Sequence, residues 1–562
     1  MRRHLITFLL IISFLLSSCQ PATTSPSSEI SFTEFTEEIF RDWVTSDSLT
    51  LNYTLNEPSD YKITQLPQGF FTSDSADNSP YFQTENLLGR LREYKKEDLS
   101  KQEQILYDTL DDYLSQELSG AVYDSYANIL DPSSGIQAQL PVLLAEFRLL
   151  SEEDIDQYFS LLQSVPAYFR LLVQMEQEKK TAGTLPARTT LQNVIDQCES
   201  FLSENGCQMI ASCFNKQIRL RFSKEAETLC QKHETYLQDN LIPAYKELIT
   251  GLTALLPDAP SDGALASYAS GKQYYAYLFR QKTGSSEPVE TWKTKLLQIL
   301  AQTEDDLLSC ALEEPSAFRT SEDYQKKYSS PEAILDTLQK QMGADFPPCP
   351  STSYQIHNVD SSLEDYLSPA FYLTPPLDDT TNNAIYINNS PRYSQSSLFN
   401  TLAHEAYPGH LYQNCYLRGQ KLPLLRYLMD YIGYSEGYAT YAEIYSYRYT
   451  GASDIEVRIL QDNAVAIHCI YALCDVGIHY EHWNNETLTS FLAEHGIIGS
   501  DNVSRIYDNI IDSPGAYLPY TIGYLQIREL RQSFSSDKEF HTYLLNMGPT
   551  SFSILRQYLN GK

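Results

Sequence analysis

The sequence predicts a mainly α-helical protein, and three observations carry that reading. Seven long stretches repeat apolar residues at three- and four-residue intervals with Glu, Gln and Lys between them. Strand-like alternation is confined to two short runs. A proline-rich break, Phe346-Pro347-Pro348-Cys349-Pro350, separates these helical stretches from a C-terminal part that holds eight of the ten histidines.

Taken in order, the chain opens with Arg2 and Arg3, an apolar run from Leu5 to Leu16, and Leu16-Ser17-Ser18-Cys19 ahead of a Ser/Thr/Pro-rich segment. The run is shorter than the about 20 residues that span a bilayer, so it reads as an export signal over residues 1–18. Its end resembles the bacterial lipobox, in which the cysteine is acylated. Cys19 is therefore the expected lipid attachment point, two acyl signals giving the stable anchoring that one chain does not. The expected location is the outer face of the cell membrane, with residues 19–30 as a tether.

The predicted helices follow at Phe32–Val44, Lys101–Leu118, Glu152–Glu178, Leu191–Leu202, Ser223–Leu255, Glu290–Leu312 and Pro331–Met342. The predicted strands are Ser353–His357 and Ala384–Asn388. The proline-rich break is taken as a boundary between a helical subdomain, 31–345, and a metal-binding subdomain, 346–562. A chain of 562 residues exceeds what one compact core normally holds.

The formal charge of −31 becomes −33 once Arg2 and Arg3 leave with the signal, which excludes nucleic acid and anionic lipid as partners for the bulk of the surface. Nine cysteines remain besides Cys19, without the Cys-x-x-Cys spacing of a zinc ribbon; Cys198, Cys207 and Cys213 are close enough in sequence for a disulfide.

The chemistry-bearing segment is His404-Glu405-Ala406-Tyr407-Pro408-Gly409-His410. It opens like the His-Glu-x-x-His helix of zinc proteases, where two histidines four apart bind zinc and the glutamate reaches the attacking water. Here the histidines are six apart. On a regular helix that turns the second by roughly 240° where a four-residue spacing gives roughly 40°. Pro408-Gly409 offers the remedy: a bulge absorbing two residues would bring His410 back to the metal side.

These residues carry a resemblance to a known family. His404 to His410 match the His-Glu-Ala-x-Pro-Gly-His pattern of the bacterial domain-of-unknown-function 885 family. Its Glu-Gly-Trp-Ala-x-Tyr-x-Glu motif stands at Glu436 to Glu443, with Tyr438 in place of tryptophan. Asp-x-Gly-x-His stands at Asp475 to His479, and the motif ending Tyr-x-Ile-Gly runs from Pro514-Gly515 to Tyr520-Thr521-Ile522-Gly523. Weaker similarity extends upstream through Gly271-Lys272-Gln273-Tyr274-Tyr275 to near the start of the mature chain, so that the resemblance covers nearly the whole protein. The family is similar in turn to helical zinc metallopeptidases of the neurolysin and Taq carboxypeptidase type.

That resemblance implies a large helical fold with a central cleft, one zinc ion, and peptide substrates. It implies a third ligand from a second helix about two dozen residues beyond His410, which selects Glu436, with Glu443 as rival or as a hydrogen-bond partner of an imidazole. Asp475 is a second such partner. Glu405 is the expected general base, and Tyr520, Tyr524 and His479 are the candidate oxyanion donors, in that order. Asp475 and His479 read equally well as an intrahelical polar pair, Tyr520 and Tyr524 as packing residues. Two competing functions remain. Gly433-Tyr434-Ser435-Glu436-Gly437 matches the nucleophile elbow of serine hydrolases, though no preceding strand is predicted. A solute- or peptide-binding lipoprotein without catalysis would share the anchor and the acidic surface.

Overall fold

Helix after helix begins at a side chain that satisfies its first free N–H groups. Ser31 caps Phe32–Val44, Ser100 and Glu103 form a reciprocal capping box at Lys101–Gly120, and Ser151 with Asp154 and Ser453 with Glu456 do the same at Glu152–Ala182 and Asp454–His479. In the computed structural model the described residues are 30–70, 80–203, 206–321, 323–349, 353–359, 368–379, 381–390 and 398–559. The export signal, Cys19 and residues 19–29 of the tether lie outside them.

The architecture is mainly helical, as the periodicity predicts. Phe32–Val44 and Pro331–Met342 have the expected bounds, and the other predicted helices differ at their ends by a few residues. The stretch 223–255 is instead three pieces: Ala226–Tyr236, a π turn over Leu237–Leu241, and Ile242–Leu255. Pro243 has no N–H for the carbonyl four residues back, and the helix widens there. No described helix is long and apolar enough to cross a membrane.

Three short strands form one sheet: β1 Tyr354–Asn358, β2 Ala370–Leu373 and β3 Asn383–Ile387, in the order β1-β3-β2. β3 runs parallel to β1 and antiparallel to β2, leaving β2 at an edge. Two of the strands fall within one residue of the expected runs. β2, four residues ending just before a turn, is too short to show alternation.

The apolar cores divide the chain differently from the boundary expected at 345/346. One core gathers residues from 32–114 together with 264–555. The second is built almost entirely from 130–259. The proline-rich segment marks only the change from helices to sheet. The helices before it, Val289–Glu313 among them, bury Trp292, Leu296 and Leu300 in the same core as the C-terminal half. The two cores meet at polar contacts: Asp512 accepts from Thr190 at 2.6 Å and Asn193 at 3.0 Å, and Tyr268 donates to Leu185 O at 2.7 Å.

At the centre lies the Ile432–Ser446 helix, buried on nearly every face, which crosses the Leu518–Arg531 helix at glycine. A Cβ on Gly523 would sit 2.1 Å from Gly433 O, and one on Gly437 would sit 2.5 Å from the Gly523 carbonyl carbon. This crossing needs glycine on both helices. It also accounts for the two glycines of the apparent nucleophile elbow: they are packing residues on a helix with no strand before it.

Candidate metal centre

His404 ends the Leu398–Glu405 helix, and His410 starts the His410–Gly419 helix. Between them the helix does not bulge; it stops and restarts. Ala406 and Tyr407 both donate to Leu402 O, the Tyr407-Pro408 peptide is cis, and Tyr412 N–H then reaches back to Ala406 O. Gly409 is required here, because a Cβ would lie 1.7 Å from His404 O. Tyr438, standing where the family motif has tryptophan, is fully buried and donates to Pro408 O at 2.9 Å, which fastens the break to the central helix.

The interruption brings the two imidazoles edge to face, their ring centroids 4.9 Å apart. From the central helix Glu436 points between them, its Oε2 3.3 Å from His404 Nε2 and 3.5 Å from His410 Nε2. One ligand atom from each of His404, His410 and Glu436 lies within 4.8 Å of the other two. Glu443, two turns further along the central helix, takes the other face of His404, with Oε2 3.2 Å from Nδ1. Of the rivals for third ligand, Glu436 sits among the Nε2 atoms, and Glu443 orients the ring from behind.

The electrostatics fit a cation. Burial would raise the Glu436 carboxyl, but the His410 imidazole beside it and the hydrogen bond from His404 hold it well below the carboxylate range. Burial works against a charged His404, yet Glu436 and Glu443 push its pKa up to about 10. His410 Nε2 and Glu436 Oε1 are buried and have no hydrogen-bond partner among the described residues, which costs about 1–3 kcal/mol per group unless something else binds them. Two imidazole nitrogens and one carboxylate oxygen converging on one point are the donor set of a catalytic zinc with an open fourth position.

Glu405 lies at the rim, half-buried, with Oε2 accepting the Tyr372 N–H of edge strand β2 at 3.1 Å. Burial raises its pKa; His404 and His410 pull the other way, Glu436 adds to the rise, and the Tyr372 N–H moderates it. Tyr520 lies over His404 with ring centroids 6.1 Å apart, and its hydroxyl bonds to Glu436.

Other expected site residues are not brought to this cluster. Tyr524, one turn after Tyr520, bonds to Arg528. His479 is fully buried with both nitrogens committed to backbone: Nδ1 accepts from Leu265 N–H at 3.1 Å and Nε2 donates to Ile510 O at 2.9 Å. Burial lowers its pKa to about 4, and it holds the fold as a neutral imidazole. Asp475 is not an imidazole's partner either. It accepts from Tyr275 OH at 2.5 Å and Gly515 N–H at 3.0 Å, tying two helices to the turn that precedes Leu518–Arg531. Ser435 bonds to Asp430. Cys198, Cys207 and Cys213 are free thiols.

Two participants have no sequence signal. The Tyr372 N–H is a backbone group on a strand too short to predict. Asp430, in the turn before the central helix, is raised to about 6 by burial and by Glu436, against Lys282 and His410. Nothing in its sequence context separates it from a surface acid.

These features define a helical protein with a two-histidine, one-glutamate centre at a broken helix, faced by a glutamate and a tyrosine. Residues 71–559 match the family described as "Bacterial protein of unknown function (DUF885)", and the chain belongs to that family. The fold is similar to that of a "putative lipoprotein" from Colwellia psychrerythraea, at 18% identity and a TM-score of 0.80, over 94% of this chain and 98% of that one. It is also similar to a "putative lipoprotein of unknown function" from Shewanella oneidensis, at 15% identity and a TM-score of 0.67, over 94% and 100% of the two chains. No curated protein matches.

Proposed function

We propose that this protein is a zinc-dependent hydrolase, a peptidase acting on short peptides, held by lipid on Cys19 at the outer face of the cell membrane. The observation that carries the reading is the convergence of His404, His410 and Glu436 with two buried atoms that have no hydrogen-bond partner among the described residues, beside a glutamate anchored on a strand edge. Zinc held by these three residues would supply Lewis acidity and bring the pKa of a bound water to about 7.

The chain's own residues then have separable tasks. Glu405, fixed by Tyr372 N–H, takes the proton of the attacking water and passes it to the leaving amine. Glu443 holds the His404 ring so that Nε2 faces the metal position. Tyr520, already lying on His404, turns its hydroxyl from Glu436 to the oxyanion of the tetrahedral intermediate. Peptides are the favoured substrates through the likeness of the motifs to helical peptidases.

The test is a peptide-library digest with and without chelator. Chelation should abolish cleavage, zinc should restore it, and Ser435→Ala should keep substantial turnover. Chelator-insensitive activity, with a fluorophosphonate on Ser435, would make the protein a serine hydrolase; binding without any cleavage would make it a peptide-binding lipoprotein. For the anchor, Cys19→Ser should release the protein from the membrane fraction or stall its processing, and unchanged retention with normal processing would contradict lipidation.

A further inference from the structure

Five tyrosines, all partly exposed, form one connected surface where the two cores meet: Tyr123, Tyr126, Tyr268, Tyr274 and Tyr277. Tyr126 stacks on Tyr274 at 5.0 Å and Tyr274 on Tyr277 at 6.3 Å, while Tyr123 lies 5.8 Å from each of Tyr274 and Tyr277. The rings are held in place. Tyr126 OH accepts Ser270 N–H at 3.0 Å, Tyr268 OH donates to Leu185 O, and Tyr277 packs so closely on Gly120 that a Cβ there would lie 2.3 Å from its hydroxyl. Packed phenols normally go into a core; these stay at the surface as rigid aromatic area.

Two carboxylates flank this surface. The charges of Glu117 and Asp124 both act on the Tyr277 phenol; Glu117 is half-buried and bonds to Gln281, and Asp124 is exposed. The nearby Arg280 is matched by Asp112 at 3.4 Å, and the charges of Asp131, Asp430 and Asp475 act on Lys282. Glu117 and Gly120 belong to the Lys101–Gly120 helix, whose Tyr113 meets Tyr431 edge to face at 6.2 Å, just before the helix that bears Glu436. From Gly120 that helix runs about 10 Å to Tyr113, the ring contact with Tyr431 follows at 6.2 Å, and Glu436 lies about 8 Å further along the central helix, so the wall is within the reach of roughly seven residues of extended chain.

We infer that this tyrosine wall with Glu117 and Asp124 is a substrate subsite for a positively charged side chain, so that the peptides taken are basic ones, with Lys or Arg within roughly seven residues of the scissile bond. Phenol faces attract a guanidinium or ammonium through their π charge, the two carboxylates supply the complementary charge, and pinned rings lose little freedom on binding. The overall charge of −31 steers cationic peptides toward the protein in the first place.

This inference rests on the peptidase reading, and its test is kept separate from catalysis. Two hexapeptides identical except for one arginine or its neutral isostere citrulline are titrated calorimetrically into the full-length protein with chelator present. The arginine peptide should bind about tenfold more tightly. Glu117→Gln with Asp124→Asn, both near-isosteric and checked by thermal melting, should bring the two peptides within about twofold of each other. Equal affinities in the unaltered protein, no measurable binding of the arginine peptide, or a preference that survives both substitutions would overturn the subsite. Zinc-dependent cleavage of both peptides without preference would sink the subsite alone, whereas preference without cleavage would support it and sink only the peptidase reading.

Discussion

Glu405→Gln should lower turnover by about 10²- to 10⁴-fold, the usual contribution of a general base, while zinc content stays at the unaltered level. The reason is its position. Glu405 follows His404, a proposed ligand, in sequence but hydrogen-bonds to the β2 backbone, outside the triangle formed by His404, His410 and Glu436. The glutamine amide keeps the size and still offers an oxygen to Tyr372 N–H, so the fold is left alone and only the proton acceptor is lost. Metal content by elemental analysis together with single-turnover rates reads both halves of the expectation. A variant that loses its zinc would place Glu405 among the ligands.

The second large effect belongs to Glu436. It is fully buried, between two imidazoles, with one oxygen that has no hydrogen-bond partner among the described residues. Glu436→Gln should remove a charged ligand and cut zinc affinity by more than the roughly 10- to 100-fold expected when Glu443→Gln removes only the hydrogen bond behind His404. The order of the two effects is the informative part, because the glutamates lie two turns apart on one helix and both reach His404. Competition with a zinc indicator, run on both variants, measures it directly, and a larger loss at Glu443 would exchange their roles.

How much of this was legible in the sequence follows from where the information lies. Helices such as Phe32–Val44 declare themselves through a local 3.6-residue period and a serine cap, so both existence and bounds could be read. The division into cores could not: Trp292 and Leu335 show an apolar face, but not which distant helix covers it. At the site, the spacing in His404 to His410 already required a departure from regular helix, and Pro408-Gly409 marked its place. The sequence could not say whether the helix would bulge or break. His479 and Asp475 lie in a motif and still serve packing, since a buried hydrogen-bonding residue looks the same in sequence whether it faces a cleft or a carbonyl. Tyr372 contributes through its backbone, which carries no residue-type signal at all.

The measurement that tests the central claim most directly is the zinc content of His410→Ala beside that of Glu405→Gln, each purified without added metal and then loaded under identical conditions. If the broken helix returns His410 to the metal, as the 4.9 Å approach of its ring to His404 implies, the His410 variant should fail to retain zinc while the Glu405 variant retains one ion per chain. Full occupancy in the His410 variant would contradict the account, because His404 and Glu436 would then be holding the ion with some other residue.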